Sequence, residues 1–491
     1  MDDTPLGRVV QNHIKKNWDR YHTPGHVNGA GAPQELQGLL GEQVFKSDLT
    51  ELPDLDDLHT PKGAIKQSQH KLAKIFGADS TYYLVNGSTA GVVTMIMSVA
   101  GPGEKILIPR NAHKSVYNGL ILSGAEPVYL PVSTDTDVSL SYNVKIDDIE
   151  SIVNKYSNYN IKGVLITSPS YHGICLDPGS LREKLTCPLL IDEAHGSHLI
   201  FSDELPPSAG EYGGDMWVHS THKTLGTLTQ SSLLHINENK VNVDNVSFML
   251  QLMQTTSPSY PLMLSLDGLI AYKEKFYKYW DQLVKKKLPW LRQQIADIPG
   301  LQLLTQEELM CTGFNLDHTK VTLKLSQVKF TGYDLSDYLR LEHNIQVEQV
   351  ERKTILLLIT PFHSEKQLNY LVYALEQAIK NQKKLIQNRH INETRIVRKM
   401  GQELSNMISP EVKISPREAV YRQGRYVILS NSVGKVAQEF VIPYPPGIPV
   451  LVPGEVITTE LKQYISYLLD CPDIHLQGLE YGDKGYIKIL S

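Results

Sequence analysis

The sequence predicts an α/β fold: a mostly parallel, seven-stranded sheet covered by helices on both faces, with smaller α/β units toward the C-terminus. Three observations predict it. Short apolar runs alternate with longer helical stretches from about residue 62 onward. The runs are apolar almost throughout, as strands buried on both faces are. Polar residues collect just after the run ends, where parallel α/β sheets bind their ligands.

Residues 1–60 are rich in Gly, Pro, Asp and His ("YHTPGHVNGAGAPQ", "TELPDLDDLHTPKG") and show no regular period, which predicts an N-terminal arm or lid. Residues 61–275 form the large domain. Its strands are predicted at 81–85, 105–109, 127–131, 163–167, 188–192, 216–220 and 232–236, with helices such as "STAGVVTMIMSVA" and "HKSVYNGLILSGA" between them. A long helical pattern over 262–298 then leaves this unit. Residues 276–390 read as a small α/β domain, with strand signals in "TKVTLKLSQ" and "TILLLIT". The charged run 381–400 reads as a solvated connecting helix, and 391–491 as a C-terminal domain.

Composition narrows the function. A net charge of −5 offers no basic footprint for nucleic acid. Cys175, Cys187, Cys311 and Cys471 are scattered, which fits reduced thiols and a cytoplasmic location. The N-terminus is polar and lacks a signal-peptide core, and no apolar run approaches the ~18 residues that a membrane span needs.

Chemistry is expected at five of the seven strand ends. Gly87, Ser88 and Thr89 lie in "NGSTAG" at a helix start, where free N–H groups and hydroxyls suit a phosphate. His113 follows the second run. Ser168 to Gly173 ("SPSYHG") follow the fourth run, and Asp192 closes the fifth, where a buried carboxylate needs a partner. His195 lies three residues on. Ser220, His222 and Lys223 follow the sixth run in "HSTHKT". A lysine, an aspartate 31 residues earlier and an upstream phosphate cradle are what pyridoxal 5'-phosphate requires. The amine of Lys223 would bond to the cofactor aldehyde, Asp192 would keep the pyridine nitrogen protonated, and Ser88 and Thr89 would hold the phosphate.

Together "HTPGH", "NGSTAG", "RNAHKSVYNGL", "LLIDEAHGSH", "HSTHKTL", "QTTSPSYPLM" and "IPYPPGIPVLVPGE" resemble the bacterial Orn/Lys/Arg decarboxylase family, in order from about residue 20 to 460. The resemblance is to the short form, without a wing domain. It implies a fold-type I pyridoxal-phosphate enzyme with an aspartate-aminotransferase-like large domain. It also implies decarboxylation of a basic L-amino acid in polyamine biosynthesis: arginine to agmatine first, lysine to cadaverine second and ornithine to putrescine third. On this resemblance His113 would stack on the cofactor ring, and Ser220 and His222 would lie near the phosphate. Thr256 or Ser257 would reach the phosphate of a neighbouring subunit, so a homodimer, or an oligomer of dimers, with shared sites is implied. Glu455 would lie near the substrate side chain. Glu455 is favoured over the acidic loop of Asp48, Glu51, Asp54, Asp56 and Asp57, which reads as an exposed solubilising run. Two departures bear on substrate detail: Val27 stands where the family often has Lys, and "DEAHGSH" replaces the aromatic-containing version of the long forms.

Rival readings fit less of the chain. "DEAH" at 192–195 matches the acidic box of helicase-type ATPases, but Gly434-Lys435 is followed by Val436, so the phosphate loop is missing. His195 and His198 beside Asp192 and Glu193 could ligate zinc, which leaves Lys223 and "NGSTAG" without a role, so no metal is expected. An aminotransferase or aldolase on the same fold would use the same cofactor residues. A non-catalytic homologue would not need them.

Overall fold

The computed structural model describes residues 3–135, 138, 140–156, 160–386, 411–444, 447–469, 474–480 and 485–491. The seven predicted runs become β1 (Ser80–Leu84), β2 (Lys105–Pro109), β3 (Glu126–Leu130), β4 (Gly163–Thr167), β5 (Leu189–Asp192), β6 (Met216–His219) and β7 (Ser232–Ile236). They form one sheet in the order β1–β7–β6–β5–β4–β2–β3. β7 pairs antiparallel with both β1 and β6, while the other neighbours pair parallel. Six strands therefore deliver their carboxyl ends to the same edge of the sheet.

Both faces of the sheet are buried. Ile106, Ile108, Leu190, Met216 and Val218 pack on one side beneath the helices Gly87–Val99 and Lys114–Ser123. Leu107, Leu189, Ile191 and Trp217 face the other side, against Ile149, Leu181 and Phe314. This two-sided burial is why the runs read as continuously apolar.

The N-terminal segment differs from the arm expected of it. Residues Pro5–Lys15 form a helix, α1, with Leu6 and Val10 buried in the largest core. Leu6, Val9, Val10, His13 and Ile14 recur with helical spacing, a signal that the Gly- and Pro-rich stretch after residue 20 masks. Gly7 N–H donates to Asp267 Oδ2 at 2.7 Å, tying α1 to the long helix α2 (Tyr260–Gln282). The acidic loop also has a different task. Asp56 is buried and accepts backbone N–H groups from Lys62, Gly63 and Ile65 at 2.8–2.9 Å, while Asp54 pairs with Lys16. Its carboxylates are local fasteners.

After α2 the chain continues through Leu283–Lys287 into the helix Leu288–Ala296. It then builds an antiparallel sheet of β8 (Gln302–Leu303), β9 (Lys320–Lys324), β10 (Gln349–Val350) and β11 (Thr354–Leu358), in the order β10–β11–β9–β8. Of the charged run 381–400, residues 382–386 are helical and 387–400 lie outside the described residues. The C-terminal region places a three-stranded sheet and the helix Thr459–Leu469 around Val441, Leu451, Ile465 and Ile487.

Candidate active site

Each predicted site residue at a strand end is set by a local turn. Gly87 takes φ +73°, a left-handed conformation that costs glycine little, and launches the helix Gly87–Val99 without a side-chain cap. Its first N–H groups are thus left for a ligand. Ser88 Oγ accepts a hydrogen bond from Ser220 Oγ at 2.8 Å, joining the ends of β1 and β6, and Thr89 is exposed beside them. These groups form one polar cradle from two distant strand ends.

His113 caps the helix Lys114–Ser123. Its Nδ1 accepts from Ser115 N–H at 3.2 Å, which leaves the ring proton on Nε2. Gly447 closes over that ring, since a Cβ there would lie 3.2 Å from Nε2. Burial lowers the His113 pKa; the Asp192 charge opposes this and Lys223 adds to it, so the three side chains act on one another. Asp192 is 5% exposed and accepts the Ala194 N–H at 3.3 Å.

Lys223 sits one turn beyond β6. Burial lowers its pKa against the pull of Asp192 and Glu348, which favours an uncharged, nucleophilic amine. Its Nζ lies 2.8 Å from His195 Nε2. His222 turns away and donates from Nδ1 to the Ser231 carbonyl at 3.0 Å, while Thr221 bonds to Thr227 and the same carbonyl. The turn that carries Lys223 is thereby pinned to the start of β7.

The residues offered as zinc ligands diverge, each to its own partner. His195 faces Lys223, His198 Nε2 pairs with Asp317 Oδ2 at 3.1 Å, and Glu193 bonds to His219 at 2.7 Å. The last contact continues through His235 to Thr81 in a buried chain across β5, β6, β7 and β1.

Three predicted residues are not brought into this cluster. Thr256 and Ser257 are exposed on the loop before α2, beside Thr255, whose carbonyl lies 2.9 Å from His59 Nε2. Glu455 is engaged elsewhere. It is 0% exposed, pairs with Arg110 Nη2 at 3.0 Å and accepts the Val452 N–H at 2.8 Å. A carboxylate engaged in this way fastens the C-terminal region to the loop that carries His113. Such a pair is costly to break because it strands the other charge, by about 3–5 kcal/mol. Val27 is exposed, with φ +46°.

Sequence reasoning missed Lys320, at the start of β9. It is 1% exposed, and its Nζ lies 3.2 Å from His195 Nδ1. A lysine at the head of an apolar strand was the available signal, but nothing local names its partner.

A helix N-terminus with two hydroxyls, a buried aspartate, an imidazole ring and a half-buried amine of lowered pKa fit a phosphorylated pyridine aldehyde. Comparison with known proteins agrees. Residues 4–367 match the major domain of Orn/Lys/Arg decarboxylases, and residues 397–478 match their C-terminal domain. The chain is 35% identical over 490 residues to an arginine decarboxylase of Bacillus anthracis, covering 97% of this chain and 95% of that protein. It is 34% identical over 496 residues to an arginine decarboxylase of Bacillus subtilis, covering 100% and 98%. A lysine decarboxylase structure from Francisella novicida superposes with a TM-score of 0.85 at 22% identity, covering 99% of this chain and 81% of that one, which speaks for the fold. The chain belongs to the Orn/Lys/Arg decarboxylase family, and is a pyridoxal-phosphate-dependent amino-acid decarboxylase.

Proposed function

We propose that the protein converts L-arginine to agmatine and carbon dioxide; L-lysine is the second candidate substrate and L-ornithine the third. The observation that carries this reading is near-full-length similarity, at 34–35% identity, to relatives named arginine decarboxylase.

In this reading Lys223 holds the cofactor, with Asp192 at its pyridine nitrogen and His113 against its ring. The helix N-terminus at Gly87, with Ser88, Thr89 and Ser220, receives the phosphate. Bound there, pyridoxal phosphate supplies the electron sink for the pair left when carbon dioxide departs. Lys223 and His195 then manage protons at the reacting carbon, and Gly447 lies against the His113 ring. The distal charge of the substrate needs a carboxylate that is not already paired within the chain, which directs attention away from Glu455.

The test is carbon dioxide release from each of the three amino acids by the purified holoenzyme. Arginine should give the highest kcat/KM, by tenfold or more, since one side-chain group in a fitted pocket is worth about 1–3 kcal/mol. A higher value for lysine or ornithine would reassign the substrate.

A dimer with shared sites also follows. Thr256 and Ser257 are exposed in the single chain, and Phe248 and Leu252 on the preceding helix are 55% and 58% exposed. Mixing inactive Lys223→Ala chains with inactive Thr256→Ala/Ser257→Ala chains should restore part of the activity through hybrid dimers. No recovery after confirmed subunit exchange would mean that each site is made within one chain. Cys175, Cys187 and Cys311 are free thiols, and among the described residues no helix is long and apolar enough to cross a membrane. We place the enzyme in the cytoplasm.

A further inference from the structure

Every α-decarboxylation consumes a proton: the bond to the carboxylate breaks, its electron pair stays on Cα, and a new C–H bond must form. The reading above names the residues beside that carbon but not the store from which the proton is drawn. The structure contains a buried chain of three titratable groups that could supply it.

His195 bridges two lysines. Its Nε2 lies 2.8 Å from Lys223 Nζ, and its Nδ1 lies 3.2 Å from Lys320 Nζ. These residues come from the turn after β5, the turn after β6 and the start of β9. Lys320 is 1% exposed, and an ammonium so placed needs partners. Asp317, three residues earlier, acts on it through its charge. It is fully buried, and although burial opposes its ionisation, His198 and Lys320 hold it at about 2, so it stays a carboxylate.

The direction of the hydrogen bonds follows from protonation states. Burial, reinforced by the charges of Lys223 and Lys320, holds His195 well below its ordinary range, so its ring is neutral, with one donor and one acceptor nitrogen. Burial brings Lys320 down to about 8; Asp317 opposes this and Lys223 adds to it. Lys320 is therefore still mostly ammonium at neutral pH, and an ammonium can only donate. It donates to Nδ1, which leaves the ring proton on Nε2, pointing at the Lys223 amine. The charged and titratable groups facing Lys320 are Asp317 from the preceding turn, His195, Lys223, Glu348 from before β10, and Cys175 from the strand Ile174–Cys175.

We propose that Lys320 is the proton store of this decarboxylase, delivering to the Lys223 amine, through His195, the proton that each turnover consumes. In the transfer an N–H bond of Lys320 breaks as Nδ1–H forms, and Nε2–H breaks as a new N–H bond forms on Lys223. The imidazole ends as its other neutral tautomer, and one positive charge has moved from Lys320 to Lys223. No oxidant or reductant is required, and the relay resets in the reverse sense: Nε2 takes a proton from solvent on the Lys223 side as Nδ1–H breaks and the N–H bond of Lys320 re-forms. The proposal rests on the decarboxylase reading and adds the residue that reloads it.

The test compares holoenzyme variants. Lys320→Met keeps the length and loses the charge. Lys320→Arg keeps the charge but cannot release a proton near neutrality. His195→Gln offers an acceptor and a donor but has no second tautomer. Without substrate, the absorbance of the bound cofactor is followed against pH. Removing the Lys320 charge should raise the midpoint by about one pH unit, because a neighbouring cation disfavours protonation, while Lys320→Arg should keep the wild-type midpoint. This readout also confirms that each variant folds and holds the cofactor.

With substrate, wild-type kcat should fall as pH rises through about 8, because the proton-bearing form of Lys320 is lost there. All three variants should lose about a hundredfold or more in kcat with little change in KM, the range typical of a lost proton transfer. The two Lys320 variants should also lack the basic limb. Turnover of Lys320→Arg within a few-fold of wild type would overturn the proposal in favour of a charge effect alone. An unchanged midpoint in Lys320→Met would overturn it by showing that the two lysines are not coupled. If the wild type released no carbon dioxide from any basic amino acid, the substrate reading would fail, while the midpoint would still decide whether Lys320 acts on Lys223.

Discussion

Lys223→Ala is expected to abolish turnover and the covalent hold on the cofactor together. Lys223 lies in the turn after β6, its pKa is lowered chiefly by burial, and Asp192 and His113 lie close enough to act on its charge. An amine so placed is uncharged more often than a surface lysine, and only the uncharged amine attacks an aldehyde. Removing it should cost about 10⁴-fold or more in kcat, or more than about 5 kcal/mol of barrier. The purified wild type should be yellow, and borohydride should leave a pyridoxyl mass on the peptide containing Lys223. Lys320 supplies a sharp alternative, because it is a second amine on the same histidine. A pyridoxyl mass on the Lys320 peptide would reverse the assignment.

Asp192→Asn should leave the cofactor bound and remove most of the turnover. Asp192 closes β5 at 5% exposure and accepts the Ala194 N–H at a long 3.3 Å. A buried carboxylate needs stronger company than this, and a protonated pyridine nitrogen would supply it. Asparagine keeps the shape but cannot stabilise that charge, so the ring withdraws electrons poorly. Losing such a preorganised charge interaction typically costs about 10²–10³-fold in kcat. The check is kcat in a variant whose absorbance shows full cofactor occupancy; near wild-type turnover would refute the role.

The two strong assignments and the structural surprises have different origins in the chain. Asp192 stood out because it closes an apolar run and Lys223 because it follows one within a few residues, and a run of four or five buried residues bounded by polar ones is a signal contained in a short window. The same holds for the helix at Gly87, whose start is written in consecutive residues. In α1 a local signal existed as well, in Leu6, Val10 and Ile14, but the neighbouring Gly, Pro and Asp residues diluted it. The acidic loop could be read as charged, but whether Asp56 met water or five backbone N–H groups depended on how the loop folded back.

By itself, then, the sequence determined the strands, their order along the chain, the polar edge where their ends converge, and the cofactor chemistry implied by a lysine, an aspartate and a phosphate cradle. Tertiary structure alone decided which charges meet across long stretches of chain. Glu455 finds Arg110 across 345 residues and Lys320 finds His195 across 125. Local patterns are governed by backbone geometry and by the period at which side chains face the core, which any short segment carries within itself. Ion pairs and shared imidazoles depend on where separate segments cross, and a buried charge is stabilised only by the partner that the completed fold sets beside it.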